Sequence, residues 1–130
     1  PRRSRPMSDP TTLARAYYRT IDDDEYEELA AILAPEFTHE RPDRTLDGRD
    51  RFVRFMRDER PATDTTHVVD AVYETDPGAS GSPADPVGVA AQGRLLDADG
   101  EAMFEFVDVF AVEAGRLRGA TTYIRTDDAD

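Results

Sequence analysis

The chain contains no cysteine and no lysine. The first absence excludes disulfides, a thiolate metal site and a cysteine nucleophile. The second leaves arginine as the carrier of all 16 basic side chains, against 28 acidic ones, for a formal net charge of −12. A charge of that sign and size argues against nucleic acid and anionic membranes as partners. No apolar run is long enough to span a bilayer and no signal peptide is recognisable, so the cytoplasm is the expected location. Histidine is scarce: His39 and His67 are the only two. A metal site would need both of them plus acidic ligands, and nothing in the sequence has tight ligand spacing. Residues 78–81 carry glycine but lack the strand-to-helix context of a phosphate cradle, and no nucleophile elbow is present. The expectation is therefore no metal and no cofactor.

What remains is acidic, arginine-retaining and about the size of one domain with a single core or one modest pocket. Two readings of the composition stand side by side. Dense surface carboxylates suit a protein that works in concentrated salt, where self-repulsion is screened. GC-rich codon usage with an ordinary acidic surface gives the same counts. The halophilic reading is the one taken forward.

Hydrophobic periodicity divides the chain in two. Asp9-Pro10 reads as a helix cap followed by proline at the first helical position. Leu13, Ala16, Tyr17 and Ile21 then recur at helical spacing. A second helix is expected over 25–33, ended by Ala34-Pro35. Residues 37–41 read as a short strand with Phe37, His39 and Arg41 on one face. A third helix over 49–59 buries Phe52, Val53, Phe55 and Met56 and wets its arginines. Beyond Pro61 the pattern alternates. Strands are expected over 66–75, 87–96, 101–113 and 116–126, with a loop over 77–86 and a hairpin turn at 97–100. Asp97, Asp99 and Glu101 superficially suggest a calcium loop, but the spacing is too short for the full ligand set. The opening 1–8, with Met7 a possible natural start, and the acidic 127–130 are expected to be tails flanking one domain over 9–126. Helices first and antiparallel strands afterwards define an α+β fold.

Asp108 stands out within the strand 101–113. Alternate residues of a strand share a face, so Asp108 lies with Phe104, Phe106, Phe110 and Val112. A carboxylate among aromatic rings is costly unless paired, hydrogen-bonded or protonated. Two readings are open. Burial raises its pKa and fits it for acid–base work, or Arg41, Arg94, Arg118 or Arg125 pairs with it and holds it charged. His39 likewise reads either as a base with a suitable pKa or as a histidine at a pocket rim. His67 reads as structural.

The segments Tyr17 to Asp22 and Glu25 to Phe37 are similar to the opening of SnoaL-like and ketosteroid-isomerase-like proteins of the nuclear-transport-factor-2-like (NTF2-like) superfamily. Leu46-Asp47-Gly48-Arg49 with the helix after it, and the late run Phe106 to Leu117, resemble the same family. The resemblance spans 9–125. It implies a cone: three N-terminal helices packed on a strongly curved, mostly antiparallel sheet, with a pocket in the bore. In the steroid isomerases a tyrosine and a protonated aspartate hydrogen-bond the developing enolate, and a second aspartate shuttles the proton. Ungapped comparison places these roles on Tyr17, Asp108 and Arg41. Arginine cannot serve as a base at neutral pH, so steroid isomerisation by that route is not expected. SnoaL-type cyclases use a pocket aspartate as acid/base, for which Asp108 is the candidate.

The expectation is thus an isomerase, cyclase or hydrolase without cofactor, with Asp108, Tyr17 and His39 catalytic. A small hydrophobic molecule would contact Arg41, Phe55, Phe104, Phe106, Phe110 and Tyr123. The alternative is a non-catalytic ligand-binding or dimerisation module. The resemblance also implies a homodimer through the outer sheet face at Met103, Val107 and Val109.

Overall fold

A computed structural model describes residues 10–59, 64–74 and 87–125. The expected tails, the Asp9 cap and the loop over 77–86 lie outside the described residues. Helix α1 runs Pro10–Asp22 and α2 runs Tyr26–Ile32. Strand β1 covers Leu33–Glu40 and β2 covers Thr45–Asp47. Helix α3, Arg49–Arg54, continues into a single π turn over Phe55–Glu59. Four long strands follow: β3 Thr66–Glu74, β4 Val87–Leu96, β5 Ala102–Glu113 and β6 Arg116–Arg125.

The six strands form one curved, open sheet in the order β2-β1-β6-β5-β4-β3. Only β1 and β6 pair in parallel; every other neighbour is antiparallel. The helices pack on its inner face, which gives the α+β cone expected from the order of elements. No helix among the described residues is long and apolar enough to cross a membrane.

Two local differences from the sequence reading matter. The strand expected over 37–41 begins earlier: β1 starts at Leu33, directly after α2, with Leu33 opposite Leu117 of β6. A proline here ends the helix without preventing a strand, because a strand's first residues can lack a ladder donor. Second, Thr45–Asp47 is a strand in its own right. A turn in which Arg41 N donates to Arg44 O at 2.8 Å folds it back on β1. Gly48 then has φ of 96°, a left-handed conformation that glycine adopts without strain, and turns the chain into α3.

The core lies between α1 and the sheet. Leu13, Ala14, Ala16, Tyr17, Tyr18 and Ile21 of α1 are all buried, as are Phe37, Phe52, Val89, Phe106, Phe110 and Leu117. Each large apolar side chain so buried stabilises by about 1.5–3 kcal/mol. The α1 stripe is wide enough that both tyrosines, adjacent in sequence, face inward. On the outer face of the sheet Val107, Val109 and Tyr123 are exposed, whereas Met103, expected with them, lines the inner cavity.

Candidate functional site

Strand β5 carries Asp108 on the inner face, 5 % exposed. Its two cross-strand neighbours are Ala91 on β4 and Thr122 on β6. Ala91 is small and fully buried. Thr122 presents a hydroxyl directly opposite the carboxylate.

Tyr18 of α1 packs against Phe106 and His67, and its hydroxyl donates to Asp108 Oδ2 at 2.6 Å. Thr122 Oγ1 donates to Asp108 Oδ1. His39 Nε2 meets Thr122 Oγ1 at 2.7 Å from the other side. A hydroxyl has one proton. With Asp108 ionised, the Thr122 proton goes to the carboxylate, so His39 must donate from Nε2. That assigns the tautomer and leaves Nδ1 bare, and Nδ1 is indeed buried without a partner. Three elements (α1, β1 and the β5–β6 pair) thus meet in one polar chain: His39, Thr122, Asp108, Tyr18.

The electrostatics follow from burial. Desolvation lifts the Asp108 pKa above its ordinary value, outweighing the opposing hydrogen bonds from Thr122 and Tyr18 and the charges of His67 and Arg41. Desolvation, helped by the Arg41 cation, lowers His39 to about 3, so this imidazole is neutral and a poor base near pH 7. Desolvation and the nearby Asp108 charge raise both Tyr17 and Tyr18, which keeps their hydroxyls protonated.

A cavity of about 200 Å³ opens beside this chain. Ile21, Met56, Leu95, Phe104 and Phe106 give it apolar walls; Tyr17, His39, His67, Asp108, Thr122 and Arg41 supply its polar groups. Asp108 is the sole carboxylate among the described lining residues. Its exposed lining residues, Pro42, Met103 and Ile124, mark the mouth. Arg41 is there too, its side chain 26 % exposed and its guanidinium 5.1 Å from the Phe55 ring centre.

Several sequence-based placements change. Tyr17 does line the cavity, stacked on Phe52 at 5.8 Å and edge-on to Phe110 at 5.0 Å, but the hydroxyl that holds Asp108 belongs to Tyr18. Phe104 and Phe106 are in the wall. Phe110 is fully buried behind it, against both tyrosines. Phe55 lies under arginines outside the lining. Tyr123 is 59 % exposed on the outer face, because strand alternation gives the inner face to Thr122 and Ile124. None of the four arginines considered is bound to Asp108. Arg94 forks onto Asp70, Arg118 pairs with Glu113 and Arg125 with Glu105, while Arg41 Nε is 3.5 Å from Asp43. His39 is 3 % exposed rather than at a rim. His67 lines the cavity while Asp22 clamps it: Nδ1 is 2.7 Å from Asp22 Oδ1, and its backbone N–H donates to Oδ2 at 2.9 Å. The 97–100 turn closes on itself, with Asp97 Oδ1 accepting from Asp99 and Glu101 N–H groups.

Three helices packed on a curved, unclosed six-stranded sheet make a cone of the NTF2-like class. The chain belongs to the SnoaL-like domain family, whose model matches residues 14–120. Solved structures agree on the fold. One from Kribbella flavida, provisionally named a ketosteroid isomerase, superposes with a TM-score of 0.75 at 23 % identity, covering 95 % of this chain and 82 % of that one. A provisionally named isomerase of the SnoaL-like family from Agrobacterium tumefaciens gives 0.66 at 15 % identity, over 88 % and 96 %. The orange carotenoid protein of Anabaena (Nostoc), solved binding canthaxanthin, gives 0.70 at 13 % identity, over 86 % of this chain and 35 % of that one. No curated protein matches the sequence significantly.

Proposed function

We propose that the cavity takes a small, mostly apolar organic molecule and that Asp108 moves a proton on it without a cofactor. The observation that carries this reading is a carboxylate buried in the cavity wall with no cation clamped to it. At about 200 Å³ the cavity is below the roughly 300–1,000 Å³ of drug-sized sites, which favours a compact ligand.

In this reading the ligand's apolar body lies against Phe104, Phe106, Met56 and Ile21. The ionised Asp108 takes a proton from carbon next to a carbonyl, and the charge that develops on the carbonyl oxygen faces the Tyr17 hydroxyl or the Arg41 cation. The raised pKa of Asp108 helps, because a base works best with a pKa near the operating pH. Tyr18 and Thr122 are positioning residues that hold the carboxylate in one orientation. Isomerisation and aldol-type cyclisation use such a step; in hydrolysis the same carboxylate would instead take the proton of an attacking water. The names given to the Kribbella and Agrobacterium proteins support the first of these.

One observation favours a second reading, binding without turnover. Both Asp108 oxygens already have protein donors, so the carboxylate is satisfied before any ligand arrives. The canthaxanthin-binding neighbour is consistent with it. Screening small ketones and lactones against the purified protein, with Asp108→Asn alongside, separates the two. Turnover lost in Asp108→Asn with binding retained supports the enzyme. Binding by both forms with no turnover of any bound compound supports the carrier.

A further inference from the structure

We infer that the ligand is a monocarboxylate: its anionic head docks on Arg41 at the mouth while its apolar body reaches inward to Asp108. This rests on the reading of the cavity as the functional site, and it names the class of molecule that the site selects.

Arg41 is the one arginine among the described lining residues of the cavity, and it is incompletely satisfied. Arg19, Arg51, Arg57 and Arg94 each have a carboxylate oxygen within ordinary hydrogen-bond distance. Arg41 does not. Its Nε is buried without a hydrogen-bond partner, and the nearest acid, Asp43, stands at 3.5 Å, is itself mostly exposed and also serves Arg44 at 3.4 Å. A guanidinium in a cavity wall with its buried Nε–H unpaired is set up to receive a planar acceptor, and a carboxylate matches its fork.

The surroundings fix both the position and the charge. The Arg41–Arg44 turn brings two guanidiniums over one ring, with Arg41 at 5.1 Å and Arg44 at 5.3 Å from the Phe55 centre, and Arg51 joins at 6.0 Å. These three cations share Asp43 and Glu59, and Glu59 also faces Arg54. Three positive charges against two negative ones leave at least one over. Of these three cations Arg41 alone lines the cavity, where Asp108 is the one carboxylate among the described lining residues. One excess charge and one lining guanidinium suit a monoanion. A phosphate dianion would leave a charge uncompensated near Asp108. The walls beyond are apolar, so the rest of the molecule is hydrocarbon or aromatic.

The placement also couples binding to chemistry. The Arg41 charge holds down the proton affinity of Asp108 and of His39. A carboxylate on Arg41 cancels that charge, so the bound substrate strengthens the base that acts on it. A neutral ligand in the same cavity would not.

The test uses matched pairs of probes: hexanoate and hexanamide, phenylacetate and phenylacetamide. Each is titrated at pH 7 into the purified protein and followed by NMR shifts of residues lining the cavity. The acids should bind about tenfold more tightly than their amides, the scale of a charge-assisted hydrogen bond. Arg41→Gln should abolish the preference, bringing acid and amide to the same affinity, and Arg41→Lys should keep part of it. The acids, not the amides, should move the Asp108 titration upward. Equal binding of acid and amide by the wild type, or a preference that survives Arg41→Gln, overturns the inference and leaves the pocket reading intact. Should no acid or amide shift the cavity resonances, the pocket reading falls with it. The wild-type comparison decides the matter even if Arg41→Gln does not fold.

Discussion

The Tyr18 hydroxyl lies 2.6 Å from Asp108 Oδ2, across ninety positions of sequence. One hydrogen bond thereby ties the first helix to the centre of the sheet, at the point where the cavity's sole described carboxylate sits. It orients Asp108 and stabilises its charged form, while burial opposes that charge. The balance leaves an acid held in one rotamer with its proton affinity raised.

Tyr18→Phe should separate the two effects. The ring keeps its contacts with Phe106 and His67, so the packing survives. The carboxylate loses a donor to its charged form, so its pKa should climb further above the ordinary value. Stability should fall by about 1–2 kcal/mol at neutral pH, as expected for leaving a buried acceptor short of one partner. Carbon-detected NMR of the Asp108 carboxyl and a urea melt measure both. A downward shift of the Asp108 pKa would contradict the assigned direction of this hydrogen bond.

Asp108→Asn should change how stability depends on pH. In the wild type the folded-state pKa of this group is raised above the unfolded value of 3.8. The folded state therefore binds more protons in the window above that value, and the group's contribution is lost as pH rises through its folded pKa. An asparagine does not titrate, so that slope should vanish. Urea midpoints between pH 4 and 8 report it. An unchanged slope in Asp108→Asn means that Asp108 titrates normally and that the acid–base reading of the cavity fails.

His39 should impose a slope of the opposite sign. Its folded pKa is lowered from 6.5 to about 3, so the folded state resists protonation. The stability it contributes is present above pH 6.5 and drains away as pH falls toward 3. His39→Gln keeps a donor for Thr122 while removing the titration. The variant should lose less stability than the wild type between pH 6.5 and 4. If both lose it equally, another group governs acid unfolding.

How much of this was legible in the sequence depends on the distance of the deciding contact. Asp108 could be placed on an aromatic face because strand alternation is local. Tyr123 is among the expected ligand contacts, yet parity within β6 puts Thr122 and Ile124 on the inner face and sends Tyr123 out. Thr122 itself was invisible, since only the β5–β6 register sets it opposite Asp108. The choice between Tyr17 and Tyr18 needs the rotation of α1 on the sheet. Both are buried to the same degree, and adjacent helical residues differ only by about 100°. The fold followed from the order and period of its elements. β2 escaped because three residues carry no readable period.

Gly93 offers a test of the sheet that frames the cavity. It sits in β4 opposite Val69, next to the point where the β3–β4 register shifts between Val69 and Ala71. A Cβ added there would stand 2.2 Å from the Val68 carbonyl oxygen and 3.0 Å from Phe106 Cζ. The first contact is with backbone and cannot be relieved by a rotamer change. The strands would have to move apart, and Phe106, a wall of the cavity, would move with them. Gly93→Ala should therefore destabilise the fold by about 1–3 kcal/mol, the usual range for overpacking. It should also weaken binding of any cavity probe, although residue 93 does not line the cavity. A thermal melt and one probe titration suffice. Stability equal to the wild type would show that β3 and β4 are not held this close at the bulge, and the shape deduced for that wall of the cavity would have to be redrawn.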